Sequence, residues 1–306
     1  MSGSRIVDQP VVVGVDVGGT KCWAVATTLA GELVHEYKVP TPTSGALVDV
    51  LVNLCRLVVE PGHQLIAFGI GAPGPVDRDG VLHTAAHIPS NQPLALGREL
   101  TEQLEVPVAV DNDATFAALA EHRIGAGRGI NDMMFISFGT GIGAGLVMDG
   151  EVRRGAHGYA GEPGHTIMVP DGRECACGRL GCWERYASGT AVALHAQSHG
   201  LDAHNGAEVY AAALQHHPAA LMAFKDHGYW AGQGLAQLTA VLDPARFVLG
   251  GGMVNSAELW LDHARQAHRD AVFGQGRRPE PEMVPALLGA RAGALGAALA
   301  AADLVS

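Results

Sequence analysis

The sequence predicts an α/β protein built as two domains. Two β-meanders of one design lie about 120 residues apart, at 11–39 and 133–153, and helix-forming stretches separate and follow them. The 306 residues, 48% apolar and 17% charged, suffice for two modest cores and are too apolar for a disordered chain.

Each element follows from its local pattern. Residues 11–39, VVVGVDVGGTKCWAVATTLAGELVHEYKV, alternate apolar runs with small turn residues. They read as strand 11–17, a Gly-Gly-Thr turn, strand 21–28, a turn at Ala30-Gly31, and strand 32–39. Leu47, Val50, Leu51, Leu54, Leu57 and Val58 share one helical face, and Pro61-Gly62 stops that helix. LIAFGIGAPGPVD is a buried strand ending in a Gly/Pro loop. ATFAALAEHR, 114–123, is a good helix former with Asp113 at its N-cap position. MMFISFGTGIGAGLVMDGEVR, 133–153, repeats the first meander, with Asp149-Gly150 as its second turn. The repetition points to a duplicated nucleotide-handling domain. Stretches 256–272 and 290–304 read as further helices. The expected division is a small domain, 1–118, completed by a C-terminal helix within 289–306, and a large domain, 119–288.

Composition narrows the function classes. The net charge of −11 and the lack of a basic run argue against a nucleic-acid or anionic-membrane surface. MSGSRIVDQP has no apolar core of a signal peptide, and no apolar run reaches spanning length. A cytoplasmic location is therefore expected. Three of the five cysteines crowd within eight residues, which in a reducing compartment reads as metal-binding or redox-active before it reads as disulfides. Cys22 and Cys55 sit in apolar contexts and read as small core residues.

The motifs carry the chemistry. In VDVGGTK, 15–21, Asp16 stands near a strand end and two glycines turn the backbone with its N–H groups outward. Such a loop suits phosphate oxygens and the carboxylate suits Mg²⁺, although a plain hairpin tip has the same glycines. FGTGIGAG, 138–145, superficially suggests a dinucleotide loop, but GLVMDGEV continues as a strand where that fingerprint needs a helix. A second phosphate loop fits better. Gly250-Gly251-Gly252 is a third place for close backbone approach. In VDNDA, 110–114, Asp113 is either a helix cap or a general base for a hydroxyl attacking phosphorus. His165, Cys175, Cys177 and Cys182 form a Cys₃His set suited to a closed, structural Zn²⁺ site. No CxxC pair is present, which weakens a redox reading. Glu162 and Glu184 flank this loop and are suited to accepting hydrogen bonds from a polyhydroxyl ligand. His216 and His217 read as solvent-facing.

Together these segments, from Val11 to about Ala301, resemble the ROK family of repressors, open reading frames and sugar kinases. VGVDVGGTK and FISFGTGIGAGLV look like its two phosphate motifs. GAHGYAGEPGHTIM and CACGRLGCWE are similar to its ExGH and CxCGxxGCxE signatures. The resemblance implies an actin/hexokinase-like (ribonuclease H-like) fold with ATP and sugar in an interdomain cleft. On matching positions it implies Asp113 as catalytic base and Asn112 as a sugar-hydroxyl partner. Glu162, His165 and Glu184 would bind the sugar, His165 also ligating zinc, with Asn91 and the Gly74 backbone completing the pocket. Asp16 would face Mg²⁺. Gly18, Gly19, Thr20, Lys21, Thr140 and Gly141 would lie near the phosphates and Gly251 near adenosine.

Two positions depart from the family pattern: HIPSNQPLALG lacks a Trp common after Asn-Leu, and Thr115 stands where an Asn is frequent. Both bear on substrate identity. The implied reaction is ATP-dependent phosphorylation of a hexose, glucose at its 6-hydroxyl foremost. Mannose, fructose, allose, an N-acetylhexosamine or a C7-cyclitol are the alternative acceptors. A sugar-sensing repressor is the other class, but only ten residues precede Val11, too few for a helix-turn-helix domain, and the acidic charge opposes DNA. A polyphosphate donor would favour a basic track that the sequence does not display. The expected partners are the sugar and ATP, and the resemblance suggests a homodimer.

Overall fold

The computed structural model describes residues 9–42, 47–84 and 92–306. In chain order the elements are β1 (Gln9–Val17), β2 (Lys21–Thr27), β3 (Leu33–Pro40), α1 (Leu47–Val58), β4 (His63–Ala72), α2 (Leu96–Leu104), β5 (Val108–Asn112) and α3 (Asp113–Ile124). There follow β6 (Met133–Phe138), β7 (Ile142–Met148), β8 (Glu151–Val152), α4 (Glu184–Ala187), α5 (Gly189–Ser198), α6 (Gly206–Leu214) and α7 (Pro218–Leu242). Last come β9 (Arg246–Gly250), α8 (Ala257–Ala271), β10 (Glu282–Pro285) and α9 (Ala292–Asp303). The chain forms two compact units, one of Met1–Gly125, Val152–Ala160 and Ala290–Ser306, the other of Ala126–Glu151 and Gly161–Gly289.

The first unit is a five-stranded mixed sheet in the order β3-β2-β1-β4-β5. β1 pairs antiparallel with β2 and parallel with β4, which pairs parallel with β5. One sheet face packs Val13, Val15, Phe68 and Ile70 with Leu51, Leu54, Leu96 and Leu100 from α1 and α2. The other packs Val12, Trp23, Val25 and Ala67 with Ala294, Ala298 and Ala301 of α9. This helix packs closely on the strands. A methyl on Gly14 of β1 would lie 2.1 Å from the Ala294 carbonyl oxygen, so α9 can rest on the strand only because glycine is there.

The second unit repeats the topology. Its strand order, β10-β9-β6-β7-β8, read from the far edge matches that of the first sheet position for position. β6 and β7 form the antiparallel hairpin, and β9 runs parallel to both β6 and β10. The duplication expected from the two meanders is thus present as topology. Because β7 follows the glycines of 139–141 directly, the dinucleotide-loop reading fails on structure as it did on sequence. The core is more aromatic here: Phe138, Trp183, Phe224 and Trp260 are fully buried. Among the described residues no helix is long and apolar enough to cross a membrane.

Candidate active site and metal centre

In the first unit two aspartates share one locus. Asp16 leaves β1 beside the backbone of α9, where a methyl on Gly293 would lie 2.8 Å from its Cγ. Its Oδ1 is shielded from solvent and has no hydrogen-bond partner among the described residues. Burial, then the charge of Asp113, push the Asp16 carboxyl up to about 7, with Lys21 pulling the other way. Burial likewise pushes Asp113 up to about 6, against the Ala114 N–H bond that favours the carboxylate. An orphaned carboxylate oxygen beside a second acid is the donor set a hard divalent cation needs.

Asp113 does not cap α3. The N-cap is Asn112, whose Oδ1 accepts the N–H groups of Ala114 at 2.9 Å and Thr115 at 3.3 Å. Asp113 is the first helical residue, with its Oδ1 on the Ala114 N–H at 2.8 Å. The sequence expectation of Asp113 as cap is corrected: an Asn one position earlier, in extended conformation, is the better-placed acceptor. Asn112 also donates Nδ2–H to the Gly74 carbonyl at 3.2 Å. Its acceptor oxygen and the Gly74 carbonyl are thus already engaged. Asn91 lies outside the described residues.

The β1–β2 bend, Gly18-Gly19-Thr20, closes with the Gly18 N–H on the Lys21 carbonyl at 3.0 Å. Thr41, just past β3, holds it from outside. Its N–H donates to the Thr20 carbonyl at 3.1 Å and its Oγ1–H to the Gly18 carbonyl at 2.6 Å.

The equivalent bend of the second unit, Gly139-Thr140-Gly141, closes with the Gly139 N–H on the Gly141 carbonyl at 3.0 Å. The first turn of α5 holds it. Gly189 N–H donates to the Gly139 carbonyl at 2.7 Å, and Thr190 Oγ1–H to the Thr140 carbonyl at 2.8 Å. Glu184 Oε2 accepts the N–H of Ile142 at 3.0 Å, the residue after the bend. Gly251 follows β9 with φ of 80°.

Beside this bend lies the cysteine cluster. One donor atom each from His165, Cys175, Cys177 and Cys182 lies within 4.8 Å of the others. Cys175 Sγ is 3.7 Å from His165 Nδ1, and Cys177 Sγ is 3.6 Å from Cys182 Sγ. A tetrahedral zinc with bonds of about 2.3 Å sets its sulfurs about 3.8 Å apart, so the donor set fits that ion. Trp183, next to Cys182, anchors the loop by donating Nε1–H to the Trp230 carbonyl of α7 at 2.8 Å. Cys175 Sγ lies 3.9 Å from Glu184 Oε1, so Glu184 joins the cysteine cluster to the glycine bend. Glu162 opens the short turn Pro163–His165, its carbonyl accepting the His165 N–H at 3.2 Å.

The ROK family profile matches residues 12–303. The chain belongs to the ROK family. The glucokinase of Streptomyces coelicolor is 36% identical over 307 residues, spanning 94% of this chain and 96% of its own. Among solved structures, the ROK family glucokinase of Streptomyces griseus, in complex with glucose and AMPPNP, matches with a TM-score of 0.85. It is 36% identical, over 96% of this chain and 99% of its own. The ROK hexokinase of Thermus thermophilus matches at 0.84 and 36% identity over the same shares. The fold of this ROK protein is accordingly the α/β, two-domain, hexokinase-like one.

Some residues of this ROK chain escaped sequence reasoning. Thr41 and Thr190 lie 21 and 50 positions from the carbonyls they bind at the nearest, Thr20 and Thr140, and nothing local marks them. Asp111, 4% exposed, is ion-paired with Arg154 (Oδ2 to Nε 2.7 Å), whose Nη2 also donates to the carbonyls of Asp77 and Val110. The only available signal was an acid in a buried strand, which demands a counter-charge somewhere.

Proposed function

We propose that this ROK protein transfers the γ-phosphoryl group of ATP to the 6-hydroxyl of glucose, with Asp113 as the base. The chain is an ATP-dependent sugar kinase, and near-full-length likeness to glucokinases supports glucose as the acceptor. The observation that carries the role of Asp113 is its release from capping by Asn112, which leaves a half-buried carboxyl with one oxygen uncommitted to the helix. In the reaction the glucose O6 bonds to the γ-phosphorus as the β–γ bridging P–O bond breaks. ADP leaves, and the O6 proton passes to Asp113.

The other residues take supporting parts. Glu162, Glu184 and the Nε2 of His165 bind sugar hydroxyls, the His165 Nδ1 being turned toward the thiols. The second Nδ2–H of Asn112 is the one it has left to donate, with Asn91 and Gly74 beside the same ligand. Gly18, Gly19, Thr20, Lys21, Thr140 and Gly141 hold phosphates, and Gly251 lies along the adenosine. Asp16 would hold Mg²⁺, which when bound neutralises phosphate oxygens. His165, Cys175, Cys177 and Cys182 would hold Zn²⁺ in a closed site with no position for a reacting water, so its part is architectural.

A coupled ADP-release assay with ATP and Mg²⁺ over glucose, mannose, fructose, allose, N-acetylhexosamines and cyclitols tests the reading. Glucose should give the highest kcat/KM; a cyclitol or N-acetylhexosamine ahead of it by tenfold or more (about 1.4 kcal/mol) would replace it as substrate.

A further inference from the structure

Each glycine bend is gripped from outside in the same way, by one backbone N–H and one threonine hydroxyl. In the first unit both come from Thr41, on the carbonyls of Thr20 and Gly18. In the second the N–H comes from Gly189, on Gly139, and the hydroxyl from Thr190, on Thr140. A peptide unit is planar and trans, so its C=O and the next residue's N–H point in opposite directions. Tethering the Gly18 carbonyl therefore sets the direction of the Gly19 N–H, and tethering the Thr140 carbonyl sets that of Gly141. Among the described residues, those two N–H groups, and those of Thr20 and Thr140, donate to no protein acceptor. The N–H groups of Gly19, Thr140 and Gly141 each follow a tethered carbonyl, and N–H groups fixed in this way at a bend suit an anion.

We propose that Thr41 and Thr190 are positioning residues for phosphate, their hydroxyls pulling back the Gly18 and Thr140 carbonyls so that the Gly19 and Gly141 N–H groups face the nucleotide. The inference rests on the reading of both bends as phosphate-holding loops. Neither threonine touches phosphate itself. Without the hydroxyl, a carbonyl oxygen is free to swing toward the anion and repel it. Glycine offers little resistance to that peptide rotation, which is why an external tether matters at these bends.

The test compares valine with serine at each position. Valine keeps shape and the neighbouring backbone hydrogen bond but removes the hydroxyl; serine restores it. Thr41→Val and Thr190→Val should each raise the KM for ATP and the Kd for AMPPNP about five- to tenfold, with the glucose KM within about twofold. Thr41→Ser and Thr190→Ser should return nucleotide affinity to within about twofold of the native chain. Thr190 is exposed, so its valine variant reports even where the change at buried Thr41 lowers stability. Unchanged nucleotide affinity in Thr190→Val, or serine variants as impaired as the valines, overturns the inference. Thr20→Glu and Thr140→Glu, at exposed positions, separate the underlying reading. If they bind AMPPNP as the native chain does, the bends do not hold phosphate; if they lose it while the valine variants keep it, only the tether is wrong.

Discussion

Asp113, the proposed base, illustrates how one half-buried carboxyl sets a testable rate profile. A base must be deprotonated, and burial has moved this group up to about 6. The acid limb of kcat/KM should therefore fall about tenfold per pH unit below about 6, not below the ordinary carboxylate range near 4. Unfolding through this group does not mimic the loss. A raised carboxyl contributes stability that is present below its unfolded value and disappears as pH rises through about 6, the opposite direction. Asp113→Asn should keep sugar binding while kcat falls about a hundred- to ten-thousandfold; a near-native rate would remove Asp113 from the mechanism. His227 supplies the contrary sign. It is fully buried among Phe138 and Trp260, both ring nitrogens without partners among the described residues. Burial holds its pKa down to about 3. The unfolded chain takes up this proton from about 6.5 downward and the folded chain does not, so stability drains as pH falls through that window. His227→Phe should flatten the decline of Tm between pH 6.5 and 4; an unchanged slope would mean the imidazole is not the source.

Elements were legible in the sequence where a period was sharp and unreadable where it was not. The β1–β3 meander, its repeat at β6–β8 and helix α1 have alternating or one-faced apolar patterns, and they fold where those patterns put them. Helix α7, 25 residues long, lies in alanine- and glycine-rich chain that presents no single apolar face, so its period does not show in the sequence. The cap of α3 lies one residue before the position the sequence suggests, because Asn112 and Asp113 are both good acceptors and only backbone conformation separates them. At the candidate site, the glycine bends and the Cys₃His set could be read from spacing. The tethers and the Asp111–Arg154 pair could not, since they join residues remote in sequence. That pair carries its own prediction. Arg154 reaches Asp111 from the segment Val152–Ala160, which Arg78 also grips through the carbonyls of Gly155 and Ala156. Arg154→Met leaves a buried acid without its counter-charge and should cost about 3–5 kcal/mol of stability. Adding Asp111→Asn should recover a substantial part of it, because Arg154 is the ion-pair partner of Asp111 and removing both charges leaves neither uncompensated. Additive losses in a double-mutant cycle read by denaturant unfolding would refute the coupling.

Over the whole molecule, one topology used twice has been put to two different ends. In the first unit the sheet lies against a helix of small residues, and its bend stands beside the paired acids Asp16 and Asp113. In the second the same bend is tied through Glu184 to a cysteine cluster and through Trp183 to α7. A zinc ion held by that cluster would stiffen Glu162, His165 and Glu184, the residues proposed to contact sugar, while the bend of the first unit is anchored by Thr41 without it. Ligand-induced stabilisation can tell these dependencies apart. At about a hundred times its Kd each ligand should add about 2.7 kcal/mol, which raises Tm by several degrees. Native protein should carry one zinc ion per chain by elemental analysis and show such a shift with glucose and with AMPPNP. Stripped of metal by a chelator, or carrying Cys177→Ala, it should lose most of the glucose shift and keep the larger part of the AMPPNP shift. Retention of the full glucose shift in metal-free protein would mean that Glu162, His165 and Glu184 hold their places without the ion.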